Sequence, residues 1–166
     1  MILKTLASIN KILIKAIEYL LATLLLIAVV FILLQVIFRY VLRSPLDWTE
    51  QGSRFMFIWM MMLGTAVVFY RDSAMAFDLL LHAFSPKLRF WVEAFIKALV
   101  IFFSVYYGYQ AFVLASSVMG RYTSGVRVPL TFMYSSMVVS NIFVVLVMVE
   151  KLLLQLLNRN KEGQTK

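Results

Sequence analysis

The chain contains no cysteine, and His82 is the single histidine among its 166 residues. Without cysteine there is no thiol nucleophile and no disulfide bond, and two imidazole ligands for one zinc ion or haem cannot come from one chain. The sequence also lacks a glycine-rich loop of the kind that binds phosphates. We therefore predict a protein that is not an enzyme and that holds no metal ion or other cofactor.

Charged residues are scarce. They make up 14% of the chain, whereas hydrophobic residues make up 63% and the mean hydropathy is +0.89. Soluble domains have about one quarter charged residues, so this composition indicates a protein embedded in lipid. The net charge of +8 would fit a nucleic-acid partner if the basic residues shared one soluble face. They instead flank apolar runs, as membrane anchors do, so we expect lipids and no nucleic acid as partners.

Long apolar runs are abundant. A helix needs about 20 apolar residues to cross the hydrocarbon core of a membrane, and four uncharged runs approach that length. The second run, residues 55–70, reaches it only if its helix carries charged residues in its first turns. We predict an all-α integral membrane protein with a single domain over residues 1–166 and transmembrane helices at 17–40, 47–70, 86–119 and 129–150.

Three segments flank these spans. In residues 1–16, intervals of four, three and four residues separate Lys4, Ser8, Lys11 and Lys15, which favours an amphipathic arm on the membrane surface. A helical extension of the first span explains the same pattern equally well. Residues 72–84 are too short and too polar to cross a membrane, and we expect an interfacial helix or a re-entrant turn there, on the cytoplasmic side. The polar tail, residues 158–166, is expected to be disordered.

The basic residues predict the orientation. Eleven of the 16 lie on the side of the two chain termini and five on the other side. The positive-inside rule therefore places both termini in the cytoplasm. The five external residues are all arginines, namely Arg39, Arg43, Arg54, Arg121 and Arg127.

The start of the second span is unusually polar. Pro45 disfavours helix at the preceding residue, so the chain breaks there. Asp47 is expected as the N-cap, with Glu50 three residues later in a variant of the capping box. Glu50 and Arg54 stand four residues apart in the favourable acid-first order, and Trp48 suits the membrane interface. We expect this second helix to begin at Asp47 or Trp48.

The apolar runs contain no ionisable residue with which to bind an ion or a charged substrate. Small and polar residues on the third and fourth spans instead permit close helix packing, namely Ser104, Gly108, Ala111, Ala115, Ser136 and Ser140. This pattern predicts a small helical subunit that braces a larger protein. The alternative, a stand-alone homo-oligomeric four-helix transporter of small molecules, would need a carboxylate deep in one helix.

The second span also carries a recognisable pattern, formed by Trp48, Glu50, Arg54, Phe57, Trp59, Leu63, Gly64 and Arg71. With it, the chain resembles the small membrane subunit (DctQ- or SiaQ-like) of tripartite ATP-independent periplasmic (TRAP) transporters. The resemblance implies an uptake system in the inner membrane of Gram-negative bacteria. There, a periplasmic binding protein delivers an organic acid, such as sialic acid or a C4-dicarboxylate, to a large sodium-coupled subunit that moves by an elevator mechanism.

The resemblance also implies where this chain is in contact with its partners. We expect the large subunit to contact a set on the second span, Trp48, Glu50, Arg54, Trp59 and Gly64. The external arginines Arg43, Arg121 and Arg127 are expected either to help dock the binding protein or to anchor the chain at lipid headgroups. No residue is expected to act as a catalytic, substrate-binding or metal-binding group.

Overall fold

The computed structural model describes residues 2–44, 46–71, 86–123 and 127–164, and four helices account for most of them. In chain order these are α1 (Ile2–Tyr40), α2 (Asp47–Tyr70), α3 (Pro86–Ser117) and α4 (Leu130–Gln164). Within the described residues, the β-type pairing is an isolated bridge between Tyr122 and Pro129. The predicted all-α class is therefore confirmed. The interfacial helix expected at 72–84 lies outside the described residues.

Three of the helices are long and apolar enough to cross a membrane, over Leu6–Tyr40, Trp48–Tyr70 and Leu130–Leu157. Helix α3 is 32 residues long but is not one of the three. Length and composition thus support a membrane protein in which three of the four expected spans are evident.

Helix α1 runs without a break from Ile2 to Tyr40. The boundary expected near residue 16 therefore does not separate an arm from the first span, and the backbone is that of a helical extension. Asn10, Ile14 and Ile17 are buried, and the two isoleucines belong to the hydrophobic core. The first part of α1 thus packs against the rest of the protein through one face, while Lys11 and Lys15 on other faces are exposed.

Two helix ends differ from the sequence-based expectation. The N-cap of α2 is Leu46, in an extended conformation, so Asp47 is the first helical residue and not the predicted cap. The Leu46 carbonyl accepts hydrogen bonds from the backbone N–H of Thr49 at 3.2 Å and from its hydroxyl at 2.7 Å. These local bonds fix the helix start. At the other end of the chain, α4 continues to Gln164, beyond the expected start of the disordered tail.

The four helices form an open row in the order α1, α2, α4, α3. Helix α2 contacts α1 and α4, and α1 also touches α4 directly, whereas α3 packs on α4 and on no other described helix. The chain exposes 11,650 Å², against about 8,400 Å² for a compact soluble protein of this mass. Much apolar surface is therefore left for lipid or a partner. The core comes from α1, α2 and α4, namely Ile14, Ile17, Leu63, Ala66, Val144, Val147 and Met148.

Small residues mediate the contacts of α4 with both neighbours. Ser104, Ala111 and Ala115 of α3 are buried, and because α3 packs on α4 alone, they face α4. A Cβ atom on Gly108 would lie 3.3 Å from the Cβ of Asn141. On α4, the buried hydroxyl of Ser140 donates a hydrogen bond to the backbone carbonyl of Met62 on α2. The expected close packing along both sets of small residues is therefore present.

Candidate functional site: the exposed face of α2

One face of α2 remains uncovered along the length of the helix. Residues three and four apart lie on the same side of a helix, and at this spacing α2 presents a set of residues that we call the outer stripe: Glu50, Arg54, Phe57, Met61, Gly64 and Val68. The side chains of the five residues other than Gly64 are exposed, and a Cβ atom on Gly64 would meet no atom within 4 Å. The outer stripe is thus a surface that no other part of the described chain covers.

Glu50 and Arg54 form the expected ion pair, with 3.3 Å between the Arg54 Nη2 and Glu50 Oε1 atoms. The side chains are 55% and 59% exposed, respectively. An exposed pair one helical turn apart stabilises a helix by only about 0.3–0.5 kcal/mol. In the isolated chain the pair is therefore a weak local contact, and its polar groups remain available to a partner.

Trp59 and Trp48, two residues expected to contact the large subunit, lie away from the outer stripe. Trp59 packs against the core and stacks on Phe132 of α4, with ring centroids 5.1 Å apart and planes inclined by 36°. Its indole N–H is buried and has no hydrogen-bond acceptor among the described residues. Trp48 meets Phe31 of α1 edge-to-face at 5.5 Å. The structure thus brings Glu50, Arg54 and Gly64 together on the outer stripe and separates Trp48 and Trp59 from them.

The three external arginines expected to bind a partner or headgroups are all exposed. Arg121 and Arg127 belong to one short connection, closed by a hydrogen bond from the Leu130 N–H to the Arg121 carbonyl at 3.0 Å. Arg43 lies at the end of α1 with a φ of 52°, in the left-handed region that L-residues rarely adopt. None of the three forms an ion pair with a residue that the structure describes. Their guanidinium groups are free for an anionic partner.

A buried carboxylate at the end of the apolar part of α4 was not foreseen from the sequence. Glu150 is 7% exposed and accepts a hydrogen bond from Asn10, which is itself 2% exposed. The same Asn10 amide donates to the Leu146 carbonyl at 3.2 Å. The burial of Glu150 is difficult to predict from the sequence, because an acidic residue directly after an apolar run usually faces the lipid headgroups.

Further polar contacts join the helices at the same end of the row. Arg71, at the end of α2, bonds to Glu18 of α1 at 2.7 Å, and Lys151 donates to the Phe69 carbonyl at 2.8 Å. The lysine thereby satisfies a backbone carbonyl at the end of α2, where orphan carbonyl groups attract cations. Arg71 belongs to the family pattern of the second span, but residue spacing does not predict that Glu18 is its partner.

Helices α3 and α4 are tied by a side-chain network near the same end. The expected pair of Glu93 and Lys97 is present at 3.7 Å, and Arg89 also bonds to Glu93 at 2.8 Å. Gln155 of α4 accepts a hydrogen bond from Lys97 at 2.6 Å and donates to the Phe90 carbonyl at 3.1 Å. Together with the contacts above, these bonds link all four helices at the end of the row that carries the chain termini.

The comparison with known families identifies the chain. The profile of the family described as "Tripartite ATP-independent periplasmic transporters, DctQ component" matches residues 17–158. The chain belongs to the DctQ family. By that description, DctQ proteins are components of tripartite ATP-independent periplasmic transporters. The structure agrees with this assignment in being all-helical and in having membrane-spanning helices.

A curated relative is similar to part of this DctQ chain. Over 81 residues it is 30% identical to the sialic acid TRAP transporter permease protein SiaT of Haemophilus influenzae (strain 86-028NP). The aligned segment covers 47% of this chain and 13% of the relative. The chain thus corresponds to a small part of that longer protein.

Proposed function

We propose that this chain is the small scaffold subunit of a TRAP transporter, which braces the large sodium-coupled elevator subunit and helps to dock the periplasmic binding protein during organic acid uptake. The observation that carries the proposal is the free outer stripe of α2. It contains Glu50, Arg54, Phe57 and Gly64, which belong to the pattern by which the sequence resembles the family. A family pattern on an uncovered helix face is best explained by a partner.

A partner on the outer stripe would change the energetics of the Glu50–Arg54 pair. If the large subunit covers the pair, the two charges leave water together and satisfy each other. Removing one member of a buried pair costs about 3–5 kcal/mol, far more than removing one member of an exposed pair. The Glu50–Arg54 pair would then fix the position of the large subunit along the outer stripe. The open row of helices supports the same role, because its surface is large for its mass.

The proposed topology has four spans, with both termini in the cytoplasm and the chain in the bacterial inner membrane. Helix α3 packs beside α4 from Tyr107, which bonds to Met137, to Phe90, whose carbonyl accepts a hydrogen bond from Gln155. These contacts extend over 17 residues of α3 and 18 of α4, or about 26 Å at 1.5 Å per residue. A hydrocarbon core is about 30 Å thick, so a helix that accompanies α4 over this length should cross with it.

We propose that the substrate and sodium sites lie on the large subunit. The membrane-spanning parts of the described helices place no charged side chain at mid-depth, where a carboxylate substrate would need one. The substrate class is an organic acid, either sialic acid or a C4-dicarboxylate. The name of the Haemophilus relative favours sialic acid.

The alternative is a stand-alone homo-oligomeric transporter of small molecules. Such a protein needs an ionisable group deep in a span. The buried carboxylate of Glu150 is a candidate, but it stands beside Lys151 at the end of the apolar run and is occupied by Asn10. A structural role for Glu150 explains these contacts better, so the scaffold function is preferred.

Gly64→Leu tests the outer stripe directly. A Cβ atom at this position would meet no atom within 4 Å, so we expect normal expression and folding of the isolated chain. In a packed interface the added volume should cost about 1–3 kcal/mol, and co-purification of the large subunit should fall by about 5- to 150-fold. Glu50→Ala and Arg54→Ala should each lower co-purification as well, with partial recovery when both charges are reversed.

The matched control is Ala98→Leu, which adds similar bulk on an exposed position of α3. It should leave co-purification unchanged. If Ala98→Leu abolishes co-purification and Gly64→Leu does not, the large subunit binds α3 instead. Normal co-purification of every α2 variant would exclude the outer stripe as the interface.

A further inference from the structure

The middle of α3 exposes polar side chains on the side that faces away from α4. Tyr106 and Gln110 stand one helical turn apart there, and both are exposed. Residues three and four positions apart continue this side along the helix. We call the set the back face: Leu99, Phe103, Tyr106, Gln110, Val113 and Ser117. All six side chains are exposed, so no described part of the chain covers the back face.

The contact of α3 with α4 places this polar pair near the middle of the membrane. Gly108 lies midway between Tyr106 and Gln110, and a Cβ atom on it would be 3.3 Å from the Cβ of Asn141. Asn141 lies two to three residues past the centre of the uncharged run 128–149 of α4, which is a distance of about 4 Å. The exposed hydroxyl and amide therefore lie at the depth of the hydrocarbon core.

Lipid chains cannot satisfy the side chain of Gln110. One amide N–H donates a hydrogen bond to the Tyr106 hydroxyl at 3.2 Å. The amide oxygen and the second N–H have no hydrogen-bond partner among the described residues. Hydrocarbon offers neither donor nor acceptor, so each unpaired polar group at this depth is costly. In membrane proteins such groups bond to polar groups of neighbouring helices. A protein surface, and not lipid, is therefore expected on the back face.

The spacing of the back face fits one further helix. Its residues recur at intervals of four, three, four, three and four. This is the 3.5-residue repeat by which two helices pack side by side over several turns. A single amide among the apolar residues of such a seam fixes the register, because it has to meet a polar group at its own level. Gln110 occupies that position in the back face.

A second copy of α3 meets this requirement through symmetry. Two copies inserted in the same orientation are related by an axis along the membrane normal, so each residue lies at the same depth as its counterpart. An amide carries both a donor and an acceptor, so Gln110 is complementary to itself. The back face also carries no charge that the symmetry would set against its like.

We propose that two copies of this chain associate through the back face of α3, with Gln110 bonded to its counterpart near the middle of the membrane. Helix α3 has no contact with α2, so the outer stripe stays open to the large subunit in such a dimer. The inference rests on the proposed crossing of α3 and does not require the contact with the large subunit.

Dilution in lipid tests the association. The full chain with Ser44→Cys, an exposed position just after α1, is labelled with a donor or an acceptor dye, and both forms are reconstituted together into vesicles. Energy transfer should fall as the protein is diluted with lipid, and this gives the dissociation constant of the dimer. Gln110→Leu should raise the dissociation constant by about 3- to 30-fold, the range that one hydrogen bond between membrane helices contributes. Gln110→Asn, which keeps an amide, should raise it less.

Cross-linking in membranes that also contain the large subunit identifies the face. Ser117 lies two turns beyond Gln110 on the back face, whereas the neighbouring exposed Ser116 points about 100° away around the helix. Oxidation should join two copies of Ser117→Cys into a covalent dimer and should leave the matched control, Ser116→Cys, monomeric. Equal cross-linking of the two variants would overturn the proposal.

Two further results would also overturn it. One is energy transfer that is absent, or that is the same for Gln110→Leu as for the unchanged chain. The other is loss of the large subunit when Gln110→Leu is purified, because the back face would then belong to the large subunit. Gly64→Leu tests the contact of the outer stripe separately, since it leaves the back face unaltered.

Discussion

At the scale of single residues, the buried carboxylate of Glu150 ties the first helix to the last. Its hydrogen bond from Asn10 joins residues 140 positions apart in the chain. Burying a carboxylate is costly unless donors compensate for the lost water. The Asn10 amide supplies one such donor while its second N–H bonds to the Leu146 carbonyl. We infer that this contact positions the first half of α1 against α4.

Asn10→Ala should reveal the strength of this contact. Hydrogen bonds to charged groups contribute about 1.5–3 kcal/mol, so thermal unfolding of the purified chain in detergent should shift to lower temperature by an equivalent amount. Glu50→Ala, which removes an exposed carboxylate, is the control and should change stability by a few tenths of a kcal/mol. The double variant Asn10→Ala/Glu150→Ala should lose less than the sum of the single losses. Strict additivity would show that the two side chains are not coupled.

A second prediction at this scale concerns the external arginines. If Arg43, Arg121 and Arg127 help to dock the binding protein, changing all three to glutamine should lower uptake when the binding protein is limiting. The effect should be larger at low salt, because exposed charges are screened over about 8 Å at physiological ionic strength. The single variant Arg127→Gln, which removes one of the three charges, should lower uptake less. Wild-type uptake by the triple variant across a titration of binding protein would refute docking.

At the scale of helices, α3 depends on a single neighbour. It packs on α4 alone, through a seam of small residues and a polar network at one end. Gly108 is the closest point of that seam, because a Cβ atom there would already lie 3.3 Å from Asn141. No other described helix can compensate if this seam opens. The attachment of α3 should therefore be sensitive to one added side chain.

Gly108→Leu should separate α3 from α4. Overpacking costs about 1–3 kcal/mol, and here the strain falls on one contact. Because the chain lacks cysteine, the pair Tyr107→Cys and Met137→Cys can be joined by a bis-maleimide reagent, which bridges the gap left where the longer native side chains touch at 3.5 Å. Cross-linking should be efficient with Gly108 and strongly reduced with Gly108→Leu. Gly64→Leu in the same assay should have no effect, and equal cross-linking with Gly108→Leu would show that the seam tolerates bulk.

At the scale of the whole molecule, the open row explains why this protein should work with a partner. A compact four-helix bundle covers the inner faces of all of its helices, whereas here α3 has a single described neighbour. The polar contacts that link all four helices gather at the end with the chain termini. At the opposite end, aromatic contacts join α2 to α1 and α4.

The four-span topology is itself testable. Single cysteines at Ser44 and Ser124 should react with a membrane-impermeant reagent added from the periplasm, because both lie in connections on the external side of the proposed topology. A cysteine at Gln164 should react only after the membrane is opened. The reverse labelling pattern would invert the orientation. Protection of Ser124 together with labelling of Ser44 would mean that α3 does not cross.

Sequence alone was sufficient for the features that depend on local chemistry. Hydropathy predicted a membrane-embedded all-α protein, and i,i+4 spacing predicted the ion pairs of Glu50 with Arg54 and of Glu93 with Lys97. Small residues at helical spacing predicted close packing along α3 and α4, although not which helices they meet. Each of these features depends on residues within one or two helical turns of each other, so the local sequence is enough to determine it.

Tertiary structure decided the rest. The order of the helices, the burial of Glu150 and the inward direction of Trp59 all depend on contacts between residues that are far apart in the chain. Helical periodicity assigns residues to faces, but it does not say which face meets a neighbour. Trp59 and Gly64 both belong to the family pattern, yet one packs on Phe132 and the other meets open space. That difference arises because α4 covers one side of α2 and leaves the other free.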